Sequence, residues 1–424
     1  MRNNFRKIYA ACFVLVIFQV TNGQAQSTLL GQINSQSRVI TTAVPFLLIT
    51  PDARSGGMAD AGVAISPDAN SMAMNPAQLA FLSEPFAVSA SYTPWLRELV
   101  PDIDLSYLSL AKKIDDFSGF GASLRYFTLG NITFTDNSGN TLREFSPNEF
   151  ALDLGYARKL SEHFSIGVAG RFIYSNLAGV TTLSNGSTTN AAVAFAGDIS
   201  GYYTKKVKVS GYNGELTYGF NISNLGNKIT YTDENDKDFL PQNLKVGAAL
   251  HLVIDDYNEI TGTIDLNKLL VPTPPVYKTD SSGNPIVNVR SNQLEILAGQ
   301  NPNVPTIQGA VQSFYDAPGG FKEEMAEIDP SIGFEYWYDK QFAVRAGYFY
   351  EAPSKGDRQF VTVGVGIKYR VIQIDFSYLV PATSQLNVQH SPLENTLQFT
   401  LQFFLGRGKT PDTNAPAVAP GATE

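Results

Sequence analysis

The chain has 424 residues, 43% of them hydrophobic and 17% charged, with a formal net charge of −8. That balance excludes a nucleic-acid binder, because no basic stripe is available to neutralise phosphates. The 27 Phe, 20 Tyr and 35 Gly point to an all-β chain, and 1 Cys and 3 His leave little for thiolate or imidazole chemistry.

In chain order, Arg2, Arg6 and Lys7 precede an apolar run from Ile8 to Val20 and a small-x-small step at Gly23-Gln24-Ala25. This is the pattern of a cleaved signal peptide over residues 1–25, with the mature chain starting near Gln26. A permanent helical anchor is the alternative, but the run is shorter than the roughly 20 residues that span a bilayer. Cys12 lies inside this segment, so the mature chain has neither a disulfide nor a thiolate nucleophile. No later stretch resembles a transmembrane helix.

Residues 26–84 lack sustained alternation and are rich in small residues, a composition expected of a segment that folds into a barrel lumen as a plug. A mobile periplasmic arm is the alternative. After Pro85 apolar residues recur at every second position. The clearest segments are Leu397/Phe399/Leu401/Phe403, Leu216/Tyr218/Phe220/Ile222 and Val361/Val363/Val365/Ile367. Side chains on a strand alternate between two faces, so each segment has one greasy and one polar side. With weaker copies and an ambiguous segment from Ile103 to Ala111, the count is about fourteen, an even number as single-chain bacterial barrels require.

The polar face decides between a soluble sandwich and a membrane barrel. It carries Gly, Ser, Thr, Asn and Gln with scattered charges (Arg125, Asp153, Arg171, Asp198, Lys245, Asp265, Lys368, Asp375), which suits a wet or plugged lumen. Tyr92, Tyr126, Tyr156, Tyr174, Tyr350 and Tyr378 fall near segment ends, where aromatic girdles meet headgroups. Connections alternate between short (159–163, 255–258, 339–340, near Arg370) and long (130–148, 175–190, 224–242, 269–329, 381–394), as short periplasmic turns and long outer loops do. A turn from Lys205 to Gly211 is longer than that pattern favours. The expected fold is an all-β, 14-stranded antiparallel transmembrane β-barrel over residues 85–405 with an N-terminal lumenal plug, and both termini periplasmic.

The 269–329 connection is far longer than ordinary loops and carries apolar groups at Leu270, Pro272, Pro275, Leu294, Ile296, Leu297, Phe314 and Phe321, with a helical candidate from Phe321 to Ile328. These residues are the candidate partner-docking surface, with lumen gating or capture of a hydrophobic ligand as alternatives. Residues 406–424 are Pro-, Ala- and Thr-rich, the composition of a disordered periplasmic tail.

Catalysis has little support. His163, His251 and His390 form no HxxxH or HExxH arrangement, and there is no GxSxG or P-loop. An Asn-Gly-Ser triplet at 185–187 matches a glycosylation sequon, a short pattern common by chance. No catalytic residue, metal site or cofactor is assigned, and binding or transport is the default.

The run Val44-Pro45-Phe46-Leu47-Leu48-Ile49-Thr50-Pro51-Asp52-Ala53-Arg54-Ser55-Gly56-Gly57-Met58, followed by Asp60 to Ala64, Ser66 to Ser71 and Asn75-Pro76-Ala77, resembles the PorV family of outer-membrane components of type IX secretion in Bacteroidetes. The Asn75-Pro76-Ala77 step resembles the plug of the wider FadL-type barrels, which have fourteen strands. The motif positions are Pro45, Phe46, Asp52, Arg54, Asn75 and Pro76. The resemblance implies a protein-docking shuttle in the outer membrane. Its implied partners are a translocon barrel of the SprA or Sov type, the C-terminal signal domains of secreted cargo, and a sortase-type attachment complex containing a PorU-like subunit. Outer-membrane lipid surrounds the wall. The alternative is a FadL-like channel for hydrophobic small molecules.

Overall fold

The computed structural model describes residues 38–97, 100, 102–135, 140–177, 179–182, 188–232, 237–288, 293–382 and 396–406. The expected signal peptide (residues 1–25), the Asn-Gly-Ser triplet, His390 and residues 407–424 of the expected tail lie outside them. Alternating segments fold as fourteen wall strands. They are β1 (Phe86–Pro94), β2 (Ile103–Lys113), β3 (Ser118–Leu129), β4 (Asn148–Lys159), β5 (Phe164–Asn176), β6 (Ala192–Val209) and β7 (Tyr212–Gly226). The ring continues with β8 (Asn243–Val253), β9 (Asn258–Leu269), β10 (Ile328–Tyr338), β11 (Phe342–Tyr350), β12 (Gln359–Tyr369), β13 (Ile372–Pro381) and β14 (Thr396–Leu405). Each pairs antiparallel with its sequence neighbours, and β14 closes the ring on β1 with Phe86 opposite Leu405 and Tyr92 opposite Phe399. Closure removes the unpaired edges that hydrocarbon does not tolerate.

The two faces of the wall follow the period of two. On β12, Val361, Val363, Val365 and Ile367 are exposed on the outside, while Thr362 between them is buried. Outward rows of Leu, Val, Ile, Phe and Tyr continue around the ring, the chemistry required for lipid contact. The charges expected on the polar face do lie inside, with Arg125, Asp153, Arg171, Asp198, Asp265 and Asp375 all buried.

Residues Ile103 to Ala111 are ambiguous in sequence because both faces are apolar. Ile103, Leu105 and Tyr107 point inward and are buried, whereas Leu108 is exposed outside. Near the long-loop end the inner wall is itself greasy. There Leu105, Phe127, Ala151, Ile173 and Ala194 pack with Val44, Phe46 and Leu47 of the N-terminal segment. Phe46 stacks on Phe127 with ring centroids 6.0 Å apart.

One turn corrects the sequence reading. The β6–β7 connection does not span Lys205 to Gly211, because β6 runs on to Val209 and the turn is Ser210-Gly211 alone. Both residues have positive φ (52° and 93°), the backbone of a tight primed hairpin turn, and Gly211 meets it without a Cβ clash. The connection is therefore as short as the other turns at that end.

Residues 38–84 thread the ring from one end to the other. At the long-loop end, Arg38 N donates to Ser354 O at 2.9 Å and Ala43 N to Phe239 O at 3.0 Å. At the short-turn end, Lys113 N donates to Pro85 O at 2.9 Å, immediately before β1. The first described residue and the end of β14 thus lie at opposite ends of the barrel.

Candidate functional site

Inside the ring the N-terminal segment is built from single turns. A four-residue helix α1 (Ala53–Gly56) starts at Asp52, whose side chain accepts from Ser55 N at 2.9 Å, the usual N-cap arrangement. A second, α2 (Ser71–Met74), is followed by a 3-10 turn over Pro76–Phe81 with Asn75 as its cap. Asn75 uses both ends of its amide. Its Oδ1 accepts from Ala77 N (3.0 Å), and its Nδ2 donates to Val63 O (2.8 Å) and to Gly201 O on β6 (3.1 Å). Pro76, lacking an N–H, fits the first position of that turn.

Short helical turns leave backbone groups unpaired, and the lumenal wall satisfies them. Asp265 Oδ2 accepts from Gly62 N and Val63 N at 2.7 and 3.0 Å. Thr400 accepts from Ala53 N (2.8 Å), and Thr362 from Ala59 N (2.9 Å). Arg125 Nη1 donates to Leu47 O (2.6 Å), Lys245 Nζ to Asp60 O (3.0 Å) and Gln398 Nε2 to Thr50 O (2.9 Å). Contacts therefore reach β3, β8, β9, β12 and β14, on all sides of the ring. The approach is close enough to need glycine on the wall: a Cβ at Gly219 would stand 2.0 Å from Val63 O, and one at Gly119 2.0 Å from Leu79 O.

Arg54 is the cation this segment buries against the wall, its other cation, Arg38, pairing with Glu323 of the 269–329 connection. Its Nε and Nη2 donate to the two oxygens of Glu335 on β10 at 3.1 and 3.0 Å, and Nη1 meets Asp68 Oδ2 at 3.1 Å. Glu335 also accepts from Arg345 Nε at 2.7 Å, and Arg345 Nη1 donates to Asp375 at 2.7 Å. In the chain Asp68–Arg54–Glu335–Arg345–Asp375 all members but the half-buried Asp68 are buried, and each charge is paired, as low-dielectric surroundings demand. Sequence reasoning missed Glu335 and Arg345. The available signal was their phase, since each falls on the inward position of an otherwise apolar alternation (Phe334/Tyr336 and Val344/Ala346). A second network on the wall joins Arg171 to Asp153, Asp198 and Asn224.

The 269–329 connection is ordered by its own elements. Two small ribbons pair Val276–Tyr277 with Ile296–Ala298 and Val287–Asn288 with Gln293–Leu294, and two helices follow, α3 (Thr306–Gln312) and α4 (Phe321–Met325). The helical candidate thus ends at Met325, and β10 takes over from Ile328. Buried charges fix the base. Glu323 accepts from Arg38 Nη2 (2.6 Å) and Lys355 Nζ (2.7 Å), while Glu327 accepts from Lys355 and Lys268, both at 2.7 Å. Lys268 also reaches Glu324 at 3.3 Å. Burial raises the Glu323 carboxyl, but Arg38 and Lys355 outweigh it and hold it down at about 2. Asp316 has no such cation, and burial pushes it up to about 6.

The candidate docking residues divide by exposure. Leu270, Pro272 and Pro275 are buried at the loop base and Ile296 is half-buried, whereas Leu294, Leu297, Phe314 and Phe321 are exposed, Phe321 at 78%. Beside the last two lie Ile307, Val311, Tyr315 and Met325, also exposed and not singled out from sequence. Ile307 and Val311 are one helical turn apart, a spacing legible as one face of α3. His163 sits exposed in the β4–β5 turn, and His251 faces inward, 3.1 Å from Thr261 Oγ1. Among the described residues no group of three or more His, Cys, Asp or Glu side chains could hold a metal ion.

A closed fourteen-stranded wall, apolar outside and polar inside, defines an outer-membrane β-barrel. The family model "Type IX secretion system protein PorV" matches residues 32–276, more than half of the chain, and the chain belongs to that family. No curated protein matches it significantly. Among solved structures, the toluene transporter TbuX of Ralstonia pickettii is 12% identical, with 83% of this chain and 97% of that chain covered at a TM-score of 0.44. The Pseudomonas putida toluene transporter TodX gives 12%, with 87% and 98% covered at 0.43.

Proposed function

We propose that this barrel is a non-catalytic docking component of type IX secretion. It binds the translocon barrel and the C-terminal signal domains of cargo through its outer loops, and passes cargo to the sortase-type attachment complex. The observation that carries the reading is the set of exposed apolar groups Ile307 and Val311 on α3, Phe314 and Tyr315 in the connection after it, and Phe321 and Met325 on α4, carried above the buried ion cluster at the loop base. Large apolar groups on a fixed support resemble a protein interface more than a flexible gate. Residues 38–84 act as a plug in this reading, so the lumen is not the route of transport. The test replaces Phe314 and Phe321 with Ser in the producing organism. Cargo should then accumulate unattached while the barrel remains folded, and unchanged surface attachment would overturn the proposal.

A second reading, uptake of a hydrophobic small molecule, has one observation in its favour. A cavity of about 340 Å³ at the long-loop end is lined by Phe46, Leu48, Trp95, Leu96, Phe127 and Phe360, among others. Every wall strand is nevertheless paired on both sides. Lipid co-purifying in that cavity, without any protein partner, would favour this reading.

A further inference from the structure

Charge is distributed unevenly around the short-turn rim. Lys112 on β2, Arg158 on β4 and Lys205 on β6 are exposed, and each occupies an outward position of its strand. Each also continues a lipid-facing apolar row: Leu108 and Leu110 lead to Lys112, Leu152, Leu154 and Tyr156 to Arg158, and Ile199 and Tyr203 to Lys205. Aromatic rings interleave with them. Phe120 stands between Lys112 and Tyr156 in register, and Phe164 pairs with Tyr203. Rings at this depth mark the headgroup layer.

Nearby carboxylates leave these three cations without an ion pair among the described residues. Asp116 pairs with Lys113 at 2.8 Å, and Asp115 and Glu162 lie in the exposed turns beyond the strands, where Asp115 attracts Arg158 without closing an ion pair and Arg158 also meets the Tyr156 hydroxyl. Lys206 and Lys208, both exposed, add positive charge at the β6–β7 end. Across the ring the β8–β9 turn has the opposite character, with Asp255 and Asp256 and no Lys or Arg.

We infer that the β2–β6 face of the short-turn rim is a binding site for anionic phospholipid headgroups of the periplasmic leaflet. Three cations spaced along alternate strands present donors to phosphate, and the aromatic rows above them hold the acyl chains. Cations at a membrane surface favour anionic lipids, and the attraction is screened by salt. The barrel would thereby acquire a preferred lipid-facing side, independent of what its outer loops bind.

Native mass spectrometry of the detergent-extracted full-length barrel tests this, with phosphatidylglycerol, phosphatidylethanolamine and inorganic phosphate as probes. Wild type should retain phosphatidylglycerol about ten-fold or more over phosphatidylethanolamine, with little retention of inorganic phosphate. The K112Q/R158Q/K205Q variant should lose that preference, and a K340Q/R370Q control elsewhere on the rim should keep it. Equal retention by the triple variant, or an equal loss in the control, overturns the inference. A salt titration of wild type needs no variant to fold: phosphatidylglycerol retention that does not fall with ionic strength also overturns it.

Discussion

Replacing Arg54 with Ala removes the one cation through which the lumenal segment grips the acidic wall. Three contacts to carboxylates are lost, two to Glu335 at 3.1 and 3.0 Å and one to Asp68 at 3.1 Å, together with two to Ser66 O and Oγ at 2.9 and 2.8 Å. Glu335 keeps Arg345, but Asp68 loses its ion pair. Breaking a buried pair by deleting one partner costs about 3–5 kcal/mol, because the remaining charge stays desolvated. At 1.4 kcal/mol per decade, the undocked population of residues 38–84 rises by about 10²–10⁴-fold. The wall is closed by its own strand pairing, so the barrel should still fold. Purified Arg54→Ala barrel in planar bilayers should show conductance bursts absent from wild type, together with protease cleavage within residues 50–80. Arg54→Lys, which keeps the charge and loses the two-pronged contact, should fall between. Wild-type conductance and protease resistance in Arg54→Ala would refute the reasoning.

Other consequences follow from the same geometry. Gly219→Val places a side chain where Val63 O already stands 2.0 Å from the Cβ position, so it should destabilise the barrel by about 1–3 kcal/mol in urea unfolding. An unchanged midpoint would contradict that close approach. Glu323 is held at about 2 against an ordinary 4.5, so its stabilisation of the loop base is fully present above pH 4.5 and lost as pH falls toward 2. Proteolysis of the 269–329 loop should therefore accelerate between pH 4.5 and 2, a step that Glu323→Gln removes. Asp316 has the opposite sign. Its carboxyl is raised from 3.8 to about 6, so stability is lost as pH rises through that window, and Asp316→Asn should abolish that loss.

The wall was legible in sequence because lipid on one side and polar groups on the other impose a strict period of two. Connection lengths carried the order of loops and turns for the same reason. Legibility failed where that contrast fades. From Ile103 to Ala111 the inner wall is as apolar as the outer, because Phe46 and Leu47 cover it from within. The β6 strand hides its last turn among Lys205, Lys206 and Lys208, which read as loop but belong to the rim. Buried partners are a tertiary matter: nothing near Glu335 in sequence announces Arg54, 281 residues away. The loop candidates show a related limit. Apolar character marked Leu270 and Phe321 alike, but packing at the loop base buries the first and leaves the second exposed.

Affinity purification from native outer membranes, comparing wild type with a Phe314→Ser/Phe321→Ser variant, tests the docking role most directly. Wild type should bring down a large translocon barrel and proteins bearing C-terminal signal domains, and the variant should recover at least one of these poorly while remaining folded. Recovery of the barrel alone with bound lipid from both would contradict the account.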